Sequence, residues 1–372
     1  MTRVVICCGS GGVGKTTTSA ALALRAALGG ARVAVVTIDP ARRLADTLAL
    51  HDVGNVARTV ALEGRPPGAR LDALMLDAKR TFDDIVRRFA ATDDARDRIL
   101  GNHYYRYVST RLAGAHEYMA MEKLLELVSS EAYDVVVLDT PPSRHALDFL
   151  AAPDRMANLM DEGVMRWLAL PASRGGWKMI ERGSELLARV LRSMLGDRTI
   201  GEIAEFFLAF QTLWDGFRER SSRVRALLGA PHTRFVLVTS PAPAARAEAL
   251  DFVDVLVARG MPFGGFVINR CTEGPDLGEP APSFGPPASG VDPAAWAAAI
   301  DATMEVWRRR AAQTDAQRRA IRELLEHAGT ARAWRIAERD DQVQDVVALR
   351  SLAEELPSVD EVFATPDRPT RG

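Results

Sequence analysis

The feature that most constrains this chain is a glycine-rich stretch near its beginning, Gly9-Ser10-Gly11-Gly12-Val13-Gly14-Lys15-Thr16. An apolar run over residues 4–8 precedes it and a helix-forming run over residues 17–24 follows it, so the local pattern is strand, glycine loop and helix. Backbone N–H groups of such a loop can approach a polyphosphate closely, and the helix N-terminus adds partial positive charge. This order of elements is typical of a phosphate-binding P-loop.

The side chains of the loop predict what it holds. Lys15 is placed to reach the β- and γ-phosphates of a nucleotide, and the hydroxyl of Thr16 is placed to bind Mg²⁺. The backbone groups around them are expected to turn toward the phosphates. The predicted nucleotide-binding set in this loop comprises Gly11, Gly12, Val13, Gly14, Lys15, Thr16 and Thr17.

Two aspartates follow apolar runs that predict buried parallel strands. Residues 32–38 lead into Asp39, and residues 133–138 lead into Asp139. In open α/β sheets, ligands bind at the edge where the carboxyl ends of the strands meet, so we expect both carboxylates beside the loop. Such a pair is what metal-assisted phosphoryl transfer requires. Because Asp39 precedes Pro40, a role as a turn cap stays open as an alternative.

The rest of the pattern predicts an α/β fold, a P-loop NTPase with a mostly parallel, doubly wound sheet. Apolar residues at helical spacing over about 155–228 predict an inserted helical subdomain, and a loop plus a helical segment is expected over about 272–328. We expect residues 1–372 to form a single domain, with a frayed tail from Pro357. Further strands are expected at 71–77, 234–241, 263–270 and 332–337, and further helices over most of 80–130 and at 243–259 and 342–356.

Composition narrows the classes of function. The net charge is -2 over 372 residues and no basic patch stands out, which argues against a nucleic-acid partner. No apolar run reaches the ~18 residues of a membrane span, and no signal peptide precedes the first strand, so we expect a cytoplasmic protein. The cysteines Cys7, Cys8 and Cys271 form neither a disulfide framework nor a C-x-x-C metal motif, and Cys7 and Cys8 are expected in the core.

Four segments, at residues 9–17, 37–41, 139–145 and 268–270, carry a resemblance to a known family. Their order and spacing through about residue 270 resemble the ArsA family of P-loop ATPases. That family includes the arsenite-pump ATPases and the ATPases that target tail-anchored proteins. The helical insertion lies where the family places its client-binding subdomain.

The resemblance implies a role for each site residue. Lys15 and its neighbours would bind the phosphates of ATP, and Thr16 would bind Mg²⁺. Asp39 would position or deprotonate the attacking water, Asp139 would hold Mg²⁺ through water, and Asn269 would read the adenine base. ATP is then the substrate and Mg²⁺ the cofactor of a hydrolysis to ADP and phosphate. A role for Asn269 as only a strand-end turn residue stays open.

Ser10 departs from the family pattern, which usually has at this position a lysine that reaches across a dimer to the partner's phosphates. Serine cannot supply that charge, and a trans-acting cation can be worth ~10³–10⁵ in rate. Slow hydrolysis, a substitute arginine such as Arg42 or Arg144, and a heterodimer whose partner supplies the lysine are the open explanations. His145 is expected to be a hydrogen-bonding group of the switch loop rather than a catalyst.

Three functions remain open at this point. The first is an ATP-driven switch, a homodimer or a heterodimer with a related ATPase, whose helical insertion binds a hydrophobic segment or a protein client. The second is the ATPase subunit of an arsenite or anion efflux pump, peripheral at the membrane through a membrane-protein partner, although the cysteine cluster of such pumps is missing. The third is a nucleotide-gated scaffold with little hydrolysis.

The insertion itself allows two interpretations. Methionine side chains repack easily, so amphipathic helices rich in them can form an adaptable apolar groove. The same stripes can instead be ordinary core that packs helix on helix and helix on sheet. The methionines concerned are Met156, Met160, Met165, Met179 and Met194.

Overall fold

The computed structural model describes residues 1–38, 43–48, 50, 54–103, 105, 115–141, 146–159, 214–275, 279–330, 332–339, 343 and 345–364. Within these ranges, no helix is both long enough and apolar enough to cross a membrane.

The described residues form an eight-stranded sheet in the order β3-β4-β2-β5-β1-β6-β7-β8. Neighbouring strands are parallel, except that the short edge strand β3 runs antiparallel to β4. The predicted mostly parallel α/β fold is therefore confirmed. The strands are β1 (Arg3–Cys8), β2 (Arg32–Thr37), β3 (Arg58–Thr59), β4 (Arg70–Met75), β5 (Val135–Asp139), β6 (Thr233–Thr239), β7 (Phe263–Cys271) and β8 (Ala333–Ala337).

Helices cover both faces of this sheet, as parallel strands with crossover connections require. The longest is a 36-residue helix whose N-cap, Asp292, accepts hydrogen bonds from two backbone N–H groups and whose C-cap is a left-handed glycine, Gly329. The described helices are α1 (Lys15–Leu28), α2 (Arg43–Thr47), α3 (Ala78–Phe89), α4 (Asp93–Gly101), α5 (Ala115–Ser129), α6 (Ala146–Leu159), α7 (Trp214–Leu228), α8 (Pro243–Ala258), α9 (Pro293–Ala328), α10 (Val346–Glu355) and α11 (Val359–Phe363).

The central strands are apolar at nearly every position because both of their faces are buried. Along β1, Val4 and Ile6 belong to the core layer under α5, α8 and α9, whereas Val5 and Cys7 belong to the layer under α1 and α10. Side chains alternate between the two faces of a strand, so one apolar run supplies both layers. Strands that are apolar at nearly every position in the sequence thus indicate a sheet covered by helices on both faces.

The C-terminal segment corrects one expectation. The sequence predicts a frayed tail from Pro357, but residues 359–363 form α11, which begins with a capping box between Ser358 and Glu361. Val359 and Val362 lie one turn apart and are buried against the sheet, and Arg332 donates to the carbonyl oxygen of Val362 at 3.2 Å. The cap and these contacts hold the segment through residue 364.

Two helices border the predicted helical insertion. α6 precedes it and α7 follows it, and residues 160–213 between them lie outside the described residues. The methionines at 160, 165, 179 and 194 fall in that range, and nothing is described of the Met156 side chain. The predictions of an inserted subdomain and of an adaptable groove therefore remain predictions.

Candidate nucleotide site

The site lies at the carboxyl edge of the sheet, where the chain leaves its central strand. β1 lies between β5 and β6 and ends at Cys8, and the glycine loop connects it to α1. β5 is hydrogen-bonded to β1, with Cys7 paired to Asp139 in the register of the two strands. Strand order therefore brings the last residue of β5 next to the loop, as the sequence predicts for an open α/β sheet.

Two glycines of the loop occupy positions that a side chain would obstruct. Gly9 has φ 152°, and a Cβ there would collide with the carbonyl oxygen of Val238. Gly14 has φ 95° in the left-handed region, and a Cβ there would collide with the side-chain nitrogen of Asn269. Only glycine fits both positions. Glycines there allow the backbone to turn tightly and leave the first N–H groups of α1 open to a ligand.

Lys15 lies inside the curve of the loop rather than in solvent. It is 7% exposed, and its Nζ donates to the carbonyl oxygen of Ser10 at 2.8 Å. This contact holds the ammonium over the loop, where the phosphates of a nucleotide would accept its hydrogen bonds. Ser10 is itself 8% exposed, and its hydroxyl has no hydrogen-bond partner in the described part of the chain.

Three oxygen-bearing side chains meet beside this lysine. The hydroxyl of Thr16 donates to Oδ2 of Asp139 at 2.7 Å, and the hydroxyl of Thr37, at the end of β2, donates to the same oxygen at 2.8 Å. Asp139 is completely buried. Hydroxyl and carboxylate oxygens are the ligands that Mg²⁺ prefers, so the residues present fit a magnesium ion held by Thr16 and, through water, by Asp139.

The adjacent cysteines do not take part in this chemistry. Cys7 and Cys8 are both fully buried in β1. Burial is the main cause that raises the pKa of the Cys8 thiol to about 12, and it raises the pKa of Cys7 in the same direction. Both thiols therefore stay protonated at neutral pH, and their position agrees with the predicted role as small core residues.

A cavity of about 890 Å³ extends from the loop toward the edge of the sheet. Its volume falls within the range of known ligand pockets. Gly12, Gly14, Lys15, Thr16 and Thr17 line one end. The other end is lined by residues that sequence reasoning missed, namely Ile336, Ala337, Glu338, Arg339, Val343 and Leu352.

Asn269 also lines this cavity, and both polar atoms of its side-chain amide already make hydrogen bonds within the protein. Its Nδ2 donates to the carbonyl oxygen of Val13 at 2.9 Å, and its Oδ1 accepts from the backbone N–H of Arg270 at 2.9 Å. Arg270 has φ 59°, an uncommon conformation for a residue other than glycine. Asn269 therefore braces the glycine loop, and its predicted contact with adenine would use its second N–H and second lone pair.

Comparison with known proteins assigns the chain to a family. The family described as anion-transporting ATPase, ArsA, matches residues 2–270. That range covers the loop, both strand ends and Asn269. The chain belongs to the ArsA ATPase family. The resemblance predicted from the four segments is thereby confirmed, and the family's description agrees with the prediction of an ATPase.

Individual relatives bear two kinds of name. The chain is 31% identical over 182 residues to a protein of Halobacterium salinarum named as an arsenical pump-driving ATPase, a match that covers 47% of this chain and 27% of the relative. It is 34% identical over 146 residues to the ATPase get3 of Aspergillus terreus, covering 39% of this chain and 41% of the relative. It is 30% identical over 213 residues to the ATPase GET3 of Ajellomyces dermatitidis, covering 54% of this chain and 59% of the relative.

These matches span only part of each relative. The chain covers between about a quarter and three fifths of the length of these curated ArsA and GET3 proteins. One of these names, that of the Halobacterium relative, concerns an arsenical pump, which is one of the functions that the sequence left open.

Several predicted ArsA site residues lie outside the described residues. Asp39, with Pro40 and Arg42 beside it, falls in the gap at 39–42 after β2, and Arg144 and His145 fall in the gap at 142–145 after β5. The predicted role of Asp39 toward the attacking water, and the choice between a catalytic and a hydrogen-bonding His145, therefore stay predictions. Two described residues close to these gaps lie at the same edge of the sheet: the N–H of Ile38 donates to the carbonyl oxygen of Asp139, and the N–H of Thr140 donates to that of Cys7.

Replacing Gly14 by alanine should disrupt the loop of this ArsA site more than the same change at Gly12. Both glycines have φ in the left-handed range, which costs an alanine roughly 1–2 kcal/mol. Only at Gly14 would the new Cβ also displace Asn269 from Val13, because at Gly12 no atom of the described residues lies within 4 Å. Urea unfolding should show a larger loss of stability for Gly14→Ala, because that variant also loses the hydrogen bond from Asn269 to Val13. Equal losses of stability in the two variants would contradict this assignment.

Replacing Asn269 by alanine should weaken binding of Mg-ATP by about tenfold and of Mg-GTP by less. The hydrogen bond from Asn269 to Val13 shapes the loop that binds either nucleotide, whereas a contact with adenine would strengthen the binding of ATP alone. Competition against a fluorescent nucleotide measures both affinities, and the midpoint of urea unfolding shows whether the fold is intact. If both nucleotides lose the same factor, Asn269 acts on the loop alone and adenine is read elsewhere.

Proposed function

We propose that this chain is a Mg-dependent ATPase of the ArsA type that hydrolyses ATP to ADP and phosphate and uses the nucleotide state to switch a dimer. One observation carries the proposal. Lys15 and Thr16 line a cavity large enough for a nucleotide, and the hydroxyl of Thr16 donates to the buried carboxylate of Asp139. A lysine and an oxygen pair beside a glycine loop are the parts that bind and polarise a transferring phosphoryl group.

The residues of the chain would share the work as follows. The loop backbone and Lys15 bind and orient the phosphates, and Lys15 neutralises charge that develops on them. Thr16 and Asp139 would hold Mg²⁺, which supplies Lewis-acid polarisation of the phosphate oxygens. Thr37 fixes the Asp139 carboxylate through its hydrogen bond of 2.8 Å. Asp39 would orient the attacking water and accept its proton.

Contacts between helices support coupling of this chemistry to the helical insertion. Glu122 of α5 is ion-paired with Arg220 of α7 and accepts from Tyr118, and both acid and tyrosine are buried. Asp154 of α6 lies 3.1 Å from Arg225 of α7. α5 leads into β5, which ends at Asp139, so both helices that border residues 160–213 are tied to the layer that carries the site.

We propose that the insertion binds a hydrophobic segment or a protein client, with the dimer formed by two copies or by this chain and a related ATPase. The GET3-named relatives and the place of the insertion support this reading. The predicted cytoplasmic location, with membrane contact only through a partner, follows from it. No nucleic acid is expected as a partner, because the net charge is -2.

An anion-pump subunit is the second candidate, and the name of the Halobacterium relative favours it. The described residues offer no group of three or more His, Cys, Asp or Glu side chains that could hold a metal ion. The buried hydroxyl at Ser10, in the position of the family's lysine, favours a third candidate, a scaffold that binds ATP and hydrolyses little of it.

One experiment separates the three candidates. Single-turnover phosphate release from Mg-ATP is measured with the oligomeric state, alone and with an apolar helical peptide, arsenite or antimonite. Release that rises with the peptide, and a dimer that forms with ATP, are expected for the switch. A rise with arsenite or antimonite alone would favour the pump. Tight ATP binding without release under every condition would contradict the ATPase and leave the scaffold.

A further inference from the structure

A second, smaller cavity of about 260 Å³ lies next to the nucleotide cavity. We call it the rear cavity. It is bounded by the end of β7 and the turn after it, by β8 and by one face of α9. The side chains that matter for its chemistry are Cys271, Glu273, Thr314, Arg318 and Arg335.

The two cavities are separated by one pair of neighbouring residues on adjacent strands, which we call the Cys271–Ala337 rung. Cys271 and Ala337 are neighbours in the β7–β8 ladder, and the N–H of Glu338 donates to the carbonyl oxygen of Cys271 at 2.9 Å. Ala337 lines both cavities, whereas Ile336 lines only the nucleotide cavity and Arg335 only the rear one. The alternation of side chains along β8 thus gives each cavity its own wall.

The walls of the rear cavity carry more positive than negative charge. The lining includes two arginines, Arg318 of α9 and Arg335 of β8, and one carboxylate, Glu273. Arg335 is exposed, and within the described ranges it has neither a side-chain hydrogen bond nor an ion pair. A guanidinium group without a protein partner can bind phosphate and carboxylate groups well, because it offers several N–H donors in one plane.

A buried hydroxyl on the same wall has no hydrogen-bond partner among the described residues. Thr314 of α9 is 5% exposed, and its Oγ1 makes no hydrogen bond within the described part of the chain. Gly274 packs directly over it, since a Cβ at Gly274 would lie 2.6 Å from that oxygen. Buried polar groups without a protein partner are rare, and a group bound in the adjoining cavity would satisfy this hydroxyl.

Cys271, the cysteine beside Ala337, does not change the preference of the rear cavity for an anion. Burial raises the pKa of the Cys271 thiol, and the positive charge of Arg335 opposes part of that rise. A protonated thiol whose Sγ lies 3.3 Å from the carbonyl oxygen of Ile268 is neither a metal ligand nor a nucleophile at neutral pH. The polar donors of the cavity therefore favour an anion over a metal ion.

We propose that the rear cavity binds a small oxyanion of the phosphate type, held by Arg335 and by the hydroxyl of Thr314. The cavity is larger than a free phosphate ion, so the same group carried by a small phosphomonoester also fits. The site is distinct from the glycine loop, because the Cys271–Ala337 rung lies between them.

The test is isothermal titration calorimetry of the full chain with inorganic phosphate and, separately, with glycerol 3-phosphate. The protein is first saturated with a non-hydrolysable Mg-ATP analogue, so that the glycine loop is occupied. The same titrations in a Lys15→Ala background without nucleotide keep the result independent of ATP binding. Binding of phosphate alone identifies the free ion, and binding of both identifies the phosphate group as the recognised part.

Three variants decide the assignment. Arg335→Ala should weaken binding by at least about tenfold, and Thr314→Val by about three- to tenfold. Arg322→Ala, which removes an exposed arginine of α9 outside the cavity, should leave the affinity unchanged. No binding to the parent chain in the millimolar range would overturn the proposal. Equal affinity in Arg335→Ala and Arg322→Ala would also overturn it and indicate an adventitious ion only.

Discussion

Phosphate release from Mg-ATP should fall by about 10²–10³-fold when Lys15 is replaced by alanine. The lysine is 7% exposed and lies against the loop, so its ammonium meets the phosphates in a site that excludes much of the water. Charge stabilisation is worth more in such a site than at the surface. The measurement is single-turnover phosphate release with the chain in excess over Mg-ATP.

Lys79→Ala is the matched control for this prediction. Lys79 is 43% exposed and pairs with Asp83 on α3, in a surface ion pair of 2.6 Å that contributes little to stability. Its removal should leave phosphate release within about twofold of the parent chain. If Lys15→Ala releases phosphate as fast as Lys79→Ala, the glycine loop is not where ATP is cleaved and the proposed function is wrong.

Replacing Ser10 by lysine should increase phosphate release by about 10³-fold in a chain that forms dimers. The ArsA family usually places at this position a lysine that acts on the partner's phosphates, and serine provides no positive charge. The hydroxyl of Ser10 makes no hydrogen bond among the described residues, so its loss costs little, whereas a lysine there supplies the missing cation. Release is measured as a function of protein concentration, because a contribution in trans grows with the fraction of dimer.

Ser10→Ala controls for loss of the serine itself and should leave the rate within about twofold. A parent chain that already hydrolyses ATP rapidly, together with no gain in Ser10→Lys, would contradict the prediction. Such a result would mean that the chain supplies its own cation. Arg42→Ala and Arg144→Ala would then be the next variants, and the one that loses activity would identify the substitute.

The parts of the site that are local in the sequence could be predicted from it. The glycine loop, Lys15 and Thr16 lie within one strand–loop–helix unit, where spacing alone determines which groups meet. Asp139 could be placed as well, since the apolar run before it predicts a buried strand that ends at the ligand edge. The observed hydrogen bond of 2.7 Å between Thr16 and Asp139 agrees with that placement.

The tail shows where local reasoning was wrong. Nearness to the chain end predicts fraying from Pro357. The segment through residue 364 is ordered because Val359 and Val362 are buried against the sheet, where α11 contacts β6 and β7. Burial of this kind depends on which strands become neighbours, and no pattern within the tail carries that information.

The sequence by itself determined the α/β class, the phosphate loop and the acidic end of the strand that leads into Asp139, because each depends on residues a few positions apart. Only the tertiary structure decided that Asn269 braces Val13 from 256 positions away and that β8 closes the far end of the nucleotide cavity. It also decided that the Cys271–Ala337 rung separates this cavity from the basic one beside it. The physical reason is that strand order and register, not local pattern, select which distant side chains share a space.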